Sequence, residues 1–243
     1  MKLAWLTHRE WGRTGGAEIC DYDMAMRRPD GVEPTIMFPG GVDEDLYDFD
    51  KVLVTGFYGF SARELNLVQD VGHKTAMWLH DSQMQGHWLY EVVKDLIFVT
   101  PMHEAHDLKG VHIRGATHVN PGWMDIEEIY ALGGPRKDAL WAHRPVGHKG
   151  LDLAVEWALA KGVQLDVLVG RPREEILEAM AAHKYFVLLS HIFDSGPRAV
   201  MEAQLLGCEI VINDEVGWFN ESPEELAARL QRADKEFWEV VLS

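Results

Sequence analysis

Cysteine is scarce in this chain: Cys20 and Cys208 are the only two among 243 residues. Two such thiols make neither a disulfide framework nor a four-thiolate zinc site, and they read as reduced thiols of a cytoplasmic protein. Basic residues are also few, 23 against 39 acidic ones, for a net charge of −16. A field of that sign repels polyphosphates and anionic membranes. Long apolar runs are missing as well. No stretch reaches the ~18 residues of a membrane-spanning helix. The opening MKLAWLTHRE has too short an apolar run for a signal peptide and reads as a first strand. What remains is globular composition, 47% hydrophobic and 26% charged, in a length that suits one large domain or two small ones.

Short apolar runs alternate with helical segments along the chain. Strands are expected at Lys2–Thr7, Thr35–Phe38, Lys51–Thr55, Thr75–His80, Leu96–Thr100 and Ala116–Asn120, then at Asp138–Ala142, Gln164–Val169, Tyr185–Ser190 and Glu209–Ile212. Most are continuously apolar, as parallel strands covered on both faces require. Helices are expected at Ala17–Arg27, Ala62–Val71, Leu151–Lys161, Arg173–His183 and Arg198–Leu206. That alternation predicts an α/β fold with parallel sheets. The turn Ala131–Lys137, ALGGPRK, separates two such series and suggests domains over 1–133 and 134–243. The first holds 11 basic and 21 acidic residues (net −10), the second 12 and 18 (net −6), so neither offers a basic face. Ser222–Leu242 begins SPEEL, with a Ser cap, a first-turn Pro and a Glu three residues on, and predicts a closing amphipathic helix.

Three strand-loop-helix junctions carry the candidate chemistry. After the first strand, Gly15 and Gly16 precede a helix; paired glycines let a ligand approach the backbone and its anion meet free helix N–H groups, or they make a tight turn that binds nothing. This is neither GxGxxG nor a P-loop. In ALWAHRPVGHKGLDLAVEWA, residues 139–158, Arg144 and Lys149 stand before a helix that Gly150 opens. Two cations beside a helix N-terminus suit a diphosphate, and equally describe a solvated loop. In SHIFDSGPRAVMEAQLLGCEIVIN, residues 190–213, Asp194 precedes Ser195 and Gly196, and Glu202 lies eight positions on in the following helix. An Asp cap with an exposed helical Glu is the alternative there.

Taken together and in this order, the junctions resemble family 4 of the retaining glycosyltransferases. Val119-Asn120-Pro121-Gly122-Trp123-Met124-Asp125 is similar to that family's NPxGVD segment. The resemblance implies the GT-B fold, two Rossmann-like domains facing across a cleft, with an acceptor-side domain over 1–133 and a nucleotide-sugar donor domain over 134–243. It implies that Arg144 and Lys149 hold the donor diphosphate and stabilise the departing nucleotide. Glu202 would bind the ribose hydroxyls, and Asp194, with Ser195 and Gly196, the transferred sugar. Gly15 and Gly16 would close over the donor, and His80 in Trp78-Leu79-His80-Asp81 matches the family's active-site His. A nucleotide-diphosphate sugar is then the donor substrate, with no cofactor and no metal, and the cations take over a metal's work.

The chain departs from the family at several points. Asp194 stands for the usual Glu, Ser195-Gly196 for aromatic-Gly, and His143 for the Gly before the conserved Arg; a βα unit is missing after Gly170. A degenerate GT-B protein that binds a nucleotide or sugar without turnover is the alternative. The acceptor is not specified: a small molecule, a glycan, a protein or a modified base in viral DNA would all serve, although the −10 of the first half argues against nucleic acid and lipid surfaces. Asp21-Tyr22-Asp23 and Asp48-Phe49-Asp50 match the metal-binding DxD pattern by composition alone, and His103-Glu104-Ala105-His106-Asp107 lacks the second His of HExxH.

Overall fold

In a computed structural model, residues 1–8, 16–56, 58–78, 98–100, 117–119, 124–130, 132, 137–144, 146–192, 194, 197–217 and 221–242 are described. Among the described residues, ten strands fall into two parallel sheets. The first holds β1 (Lys2–Leu6), β2 (Glu33–Met37), β3 (Lys51–Val54), β4 (Thr75–Trp78), β5 (Phe98–Thr100) and β6 (Thr117–Val119). Their spatial order is β2-β1-β3-β4-β5-β6. The second holds β7 (Lys137–His143), β8 (Leu165–Val169), β9 (His183–Leu188) and β10 (Glu209–Ile212) in the order β10-β9-β7-β8. Described helices are α1 (Gly16–Met26), α2 (Ala62–Asp70), α3 (Ile126–Tyr130), α4 (Leu151–Lys161), α5 (Arg173–Ala181), α6 (Arg198–Leu205) and α7 (Pro223–Leu242). By contacts the chain divides into one unit of Met1–Gly12, Ala17–Trp123 and Arg232–Ser243, and another of Arg13–Gly16 and Met124–Gln231.

The α/β expectation holds, and its physical basis is visible in the first sheet. Because side chains alternate across a strand, a sheet buried on both faces needs apolar residues at every position. Leu3 and Trp5 of β1, with Leu53, Ala76 and Trp78, meet Met24 of α1 and Phe237, Trp238 and Val241 of α7. Ala4 and Leu6, with Val52, Val54 and Met77, meet Leu65 and Val68 of α2 on the other face. In the second sheet Ala139, Trp141 and Val187 pack on Ala154 of α4.

The closing helix starts as its sequence predicts. Glu225 N donates to Ser222 Oγ at 3.2 Å and Ser222 N to Glu225 Oε2 at 2.9 Å, a capping box. Farther on, Phe237 and Trp238 are 0% and 2% exposed, and the Trp238 indole donates to Met24 O at 3.1 Å. Truncating a buried aromatic costs about 3–5 kcal/mol, whereas an exposed pair such as Arg232–Glu236 is worth about 0.3–0.5. Apolar burial therefore holds this end of the helix.

A buried carboxylate organises the loop after β2. Ser61 caps α2, and the side chain of Glu64 returns to accept from Ser61 N at 2.7 Å, Gly40 N at 2.7 Å and Val42 N at 3.3 Å. Burial alone would raise the Glu64 carboxyl, but these bonds outweigh it and hold it below its ordinary 4.5. A lowered native value contributes stability above the unfolded value and loses it as pH falls through the native one. Glu64→Gln should therefore lower stability near neutral pH by about 1.5–3 kcal/mol, the range for a charged hydrogen bond. Denaturant melts of both proteins should show the gap closing as pH drops below 4.5; a gap independent of pH would contradict this role.

Candidate functional site

The second sheet builds the site at the C-terminal ends of its strands, where ligands of α/β proteins bind. β7 ends at His143, Arg144 follows exposed to solvent, and a 3₁₀ turn over Gly147–Lys149 leads to Gly150 and α4. Gly150 is the geometric requirement of this junction. Its φ of +61° is left-handed, and a Cβ there would lie 1.6 Å from Leu189 O, so a side chain cannot be added without moving backbone.

Around that glycine, hydrogen bonds tie the loop to β7 and to the segment that follows β9. The Trp141 indole donates to Lys149 O at 3.1 Å, and His191 N donates to His148 O at 2.9 Å. Asn213 closes the adjoining strand end, accepting from Ser190 N at 3.2 Å and donating to Ser190 O at 2.9 Å. Lys149 is thus presented by a fixed backbone. Its ammonium donates to Asp194 Oδ2, and the two side chains are only 19% and 17% exposed. Asp194 is itself fixed: its N donates to Glu215 O at 2.7 Å, its O accepts from Gly217 N at 2.8 Å, and it bridges Val216. Sequence reasoning left Asp194 as either cap or ligand; the structure places it directly on Lys149.

His143 lies beneath this junction. Burial first, and then the charge of Lys149, push its imidazole from 6.5 down to about 3, against a bond to Val187 that acts the other way. The ring is therefore neutral at physiological pH, set edge-on to Trp141 with centroids 4.9 Å apart.

Glu202 differs from the exposed helical Glu of the bland alternative. It is buried in the second turn of α6 at 4% exposure. Its Oε1 accepts from Arg198 Nε and from Arg173 Nε, each at 3.0 Å. Arg173 also donates from Nη1 to Glu128 Oε2 at 3.2 Å. Burial, and then the charge of Arg198, would lower the Arg173 guanidinium, but the charge of Glu202 together with the hydrogen bonds to Glu202 and Glu128 holds it above its ordinary value. Arg173 was missed in the sequence because its signal, Arg-Pro-Arg-Glu-Glu at a helix start, reads as surface charge until α3, α5 and α6 converge.

Gly16 begins α1, whereas Gly15, His80, Ser195 and Gly196 lie outside the described residues, as do Asn120–Trp123 of the NPxGVD-like segment and residues 103–107. Among the described acids of the DxD triplets, Asp21 is 3% exposed and accepts from Thr55 Oγ1 at 2.7 Å, which also receives the Trp5 indole at 3.1 Å. Asp50 Oδ2 accepts from Lys2 N at 2.7 Å. Both are structural partners. Cys20 and Cys208 are buried thiols. A depression of about 390 Å³ at the other end of β7–β9 is lined by Lys137, Asp138, Gln164, Asp166 and His183. Its polar groups pair with one another, Asp166 accepting from Gln164 at 3.2 Å and Lys137 at 3.3 Å.

No protein-family model matches the sequence, and no curated protein matches it. Solved structures do. Anabaena HepE in complex with UDP-glucose is similar with a TM-score of 0.60 at 13% identity, over 100% of this chain and 96% of that one. Sucrose-phosphate synthase from Thermosynechococcus elongatus is similar with a TM-score of 0.60 at 11% identity, over 99% and 94%. An α-glucosyltransferase in complex with UDP and a 13-mer DNA containing an HMU base reaches 0.57 at 10% identity, over 99% and 95%. The chain has the GT-B fold of these glycosyltransferases. Among the described residues, no helix is long and apolar enough to cross a membrane.

Proposed function

We propose that this chain is a retaining glycosyltransferase that takes its sugar from a nucleotide-diphosphate donor and needs no metal. The observation that carries the reading is the Gly150 junction, which fixes Lys149 beside Asp194 at the start of α4, with Arg144 at the end of the strand before it. An ammonium has three donors, so Lys149 can keep Asp194 and still bond a phosphate oxygen. Arg144 adds a second cation, and α4 its N-terminal dipole. As the bond from the anomeric carbon to the donor phosphate breaks, charge grows on the diphosphate, and these fixed positive groups stabilise it. The acceptor hydroxyl attacks from the same face, its proton passing to the departing phosphate oxygen. Asp194 would accept from hydroxyls of the transferred sugar and Glu202 from those of the ribose. His80 keeps the active-site role that the resemblance implies.

The neighbours bound to UDP and UDP-glucose make uridine nucleotides the first to try. One of those neighbours also holds DNA carrying a modified base, which keeps such a base among the acceptors to test alongside glycans and small molecules. A panel of nucleotide sugars should raise the melting temperature for at least one member, since a donor bound only to the native state stabilises it. Release of nucleoside diphosphate from that donor should persist in excess EDTA. Loss of release in EDTA that manganese or magnesium restores would refute metal independence, and a panel without any thermal shift would refute the donor site itself. The ion pairs that hold Lys149 and Glu202 also fit a second reading, a GT-B protein that binds a nucleotide without turning it over.

A further inference from the structure

Arg173 presents an arrangement that its ion pairs leave incomplete. In a planar guanidinium, Nε–H and one Nη–H point the same way along one edge, which is why arginine usually grips a carboxylate with two parallel bonds. On that edge of Arg173, Nε bonds Glu202 Oε1 while Nη2 is buried with no hydrogen-bond partner. The reason is that Oε1 takes both arginines, Arg173 and Arg198, through their Nε atoms. Neither arginine bonds the second carboxylate oxygen. Arg173 Nη2 is thus a buried donor with its bond unmade, which is costly, and no hydrogen bond falls on Oε2 of the carboxylate that its Nε holds. A hydroxyl group answers both, accepting from Nη2 and donating to Oε2. A phosphate, having only acceptors, does not.

We infer that Arg173 is a specificity-determining residue that, with Glu202, reads a ribose hydroxyl of the donor nucleotide and so separates ribo- from deoxyribonucleotides. This rests on the reading of Glu202 as the ribose acceptor given above. Arg198 holds the carboxylate in place; Arg173 both holds it and supplies the second bond. A site built to bond a hydroxyl rejects the analogue lacking it, because its own buried groups are then left unpaired.

The test is calorimetric titration of UDP, 2′-deoxy-UDP, 3′-deoxy-UDP and pyrophosphate into the wild type, Arg173→Lys, Glu202→Gln and Glu128→Gln. The wild type should bind at least one deoxy analogue about tenfold or more weakly than UDP. Arg173→Lys keeps the charge but loses the two-donor edge, and should narrow that gap to within about threefold while leaving pyrophosphate affinity unchanged. Arg173→Gln replaces it where the lysine variant does not fold. Glu128→Gln removes the other partner of Arg173 and should preserve the gap; a gap lost there too would mean general loosening and overturn the assignment. A full gap in both Arg173 variants, with Glu202→Gln narrowing it, overturns the role of Arg173 alone. A wild type that binds UDP and both deoxy analogues alike, or a gap that survives Glu202→Gln, overturns the reading of Glu202 itself.

Discussion

Lys149→Ala is expected to lower turnover by ~100-fold or more, the scale for losing one preorganised stabiliser of developing charge. Binding of the intact donor should fall by much less. The difference follows from when the charge appears: the donor diphosphate is already anionic in the ground state, but its leaving oxygen gains charge only as the sugar–phosphate bond breaks. An interaction that strengthens toward the transition state is read out in turnover rather than in affinity. Asp194 complicates the variant, since it loses its ion-pair partner while 17% exposed. Melting temperatures of Lys149→Ala and of Lys149→Ala/Asp194→Asn therefore belong in the experiment; the double variant should recover any stability lost by the single one. Single-turnover transfer and equilibrium affinity are measured on the same preparations. Equal losses in both would mean uniform binding and remove the mechanistic role of Lys149. A wild type that binds donor and cleaves none across a broad acceptor panel would establish the binding-only reading.

Gly150→Ala should be strongly destabilising. The left-handed φ of +61° costs an L-residue roughly 1–2 kcal/mol. The added Cβ, 1.6 Å from Leu189 O, forces a backbone shift whose cost resembles overpacking, about 1–3 kcal/mol. Together these give about 2–5 kcal/mol, and any relaxation moves Lys149, the preceding residue, so nucleotide affinity should fall as well. Gly162→Ala is the matched control. Its φ is +71° with nothing within 4 Å of an added Cβ, so it pays the conformational cost alone. Chemical denaturation of the two variants should rank Gly150→Ala clearly below Gly162→Ala. Equal destabilisation would show that the close approach to Leu189 is relieved without cost.

Much of the architecture was legible from periodicity. Leu151–Lys161 and Glu209–Ile212 fall where their sequence patterns end, at Gly162 on the one side and between Cys208 and Asn213 on the other. The continuously apolar strands LAWL and VLV announced a sheet covered on both faces, because alternation puts every second residue on the opposite side. The Ser222 cap could be read directly, since capping is a local bond between residues three apart. Smaller errors are local too. The helix expected to reach His183 stops at Ala181, because β9 already begins at His183 and pairs it with Lys137 of β7.

The sequence by itself determined the α/β class, the order of the elements and the presence of cations before α4, since each follows from contacts between near neighbours. Only the tertiary structure decided what those charges meet. Lys149 and Asp194 are 45 positions apart, and Arg173 and Glu202 are 29. In the sequence, Glu202 reads either as an exposed helical acid or as a ribose ligand, and Arg173 as one more surface charge. Parallel pairing of β7 with β8 and β9 brings the strand ends together, and with them the loops and helix starts that carry these side chains. The cost of burying a charge then selects partners that no local pattern encodes.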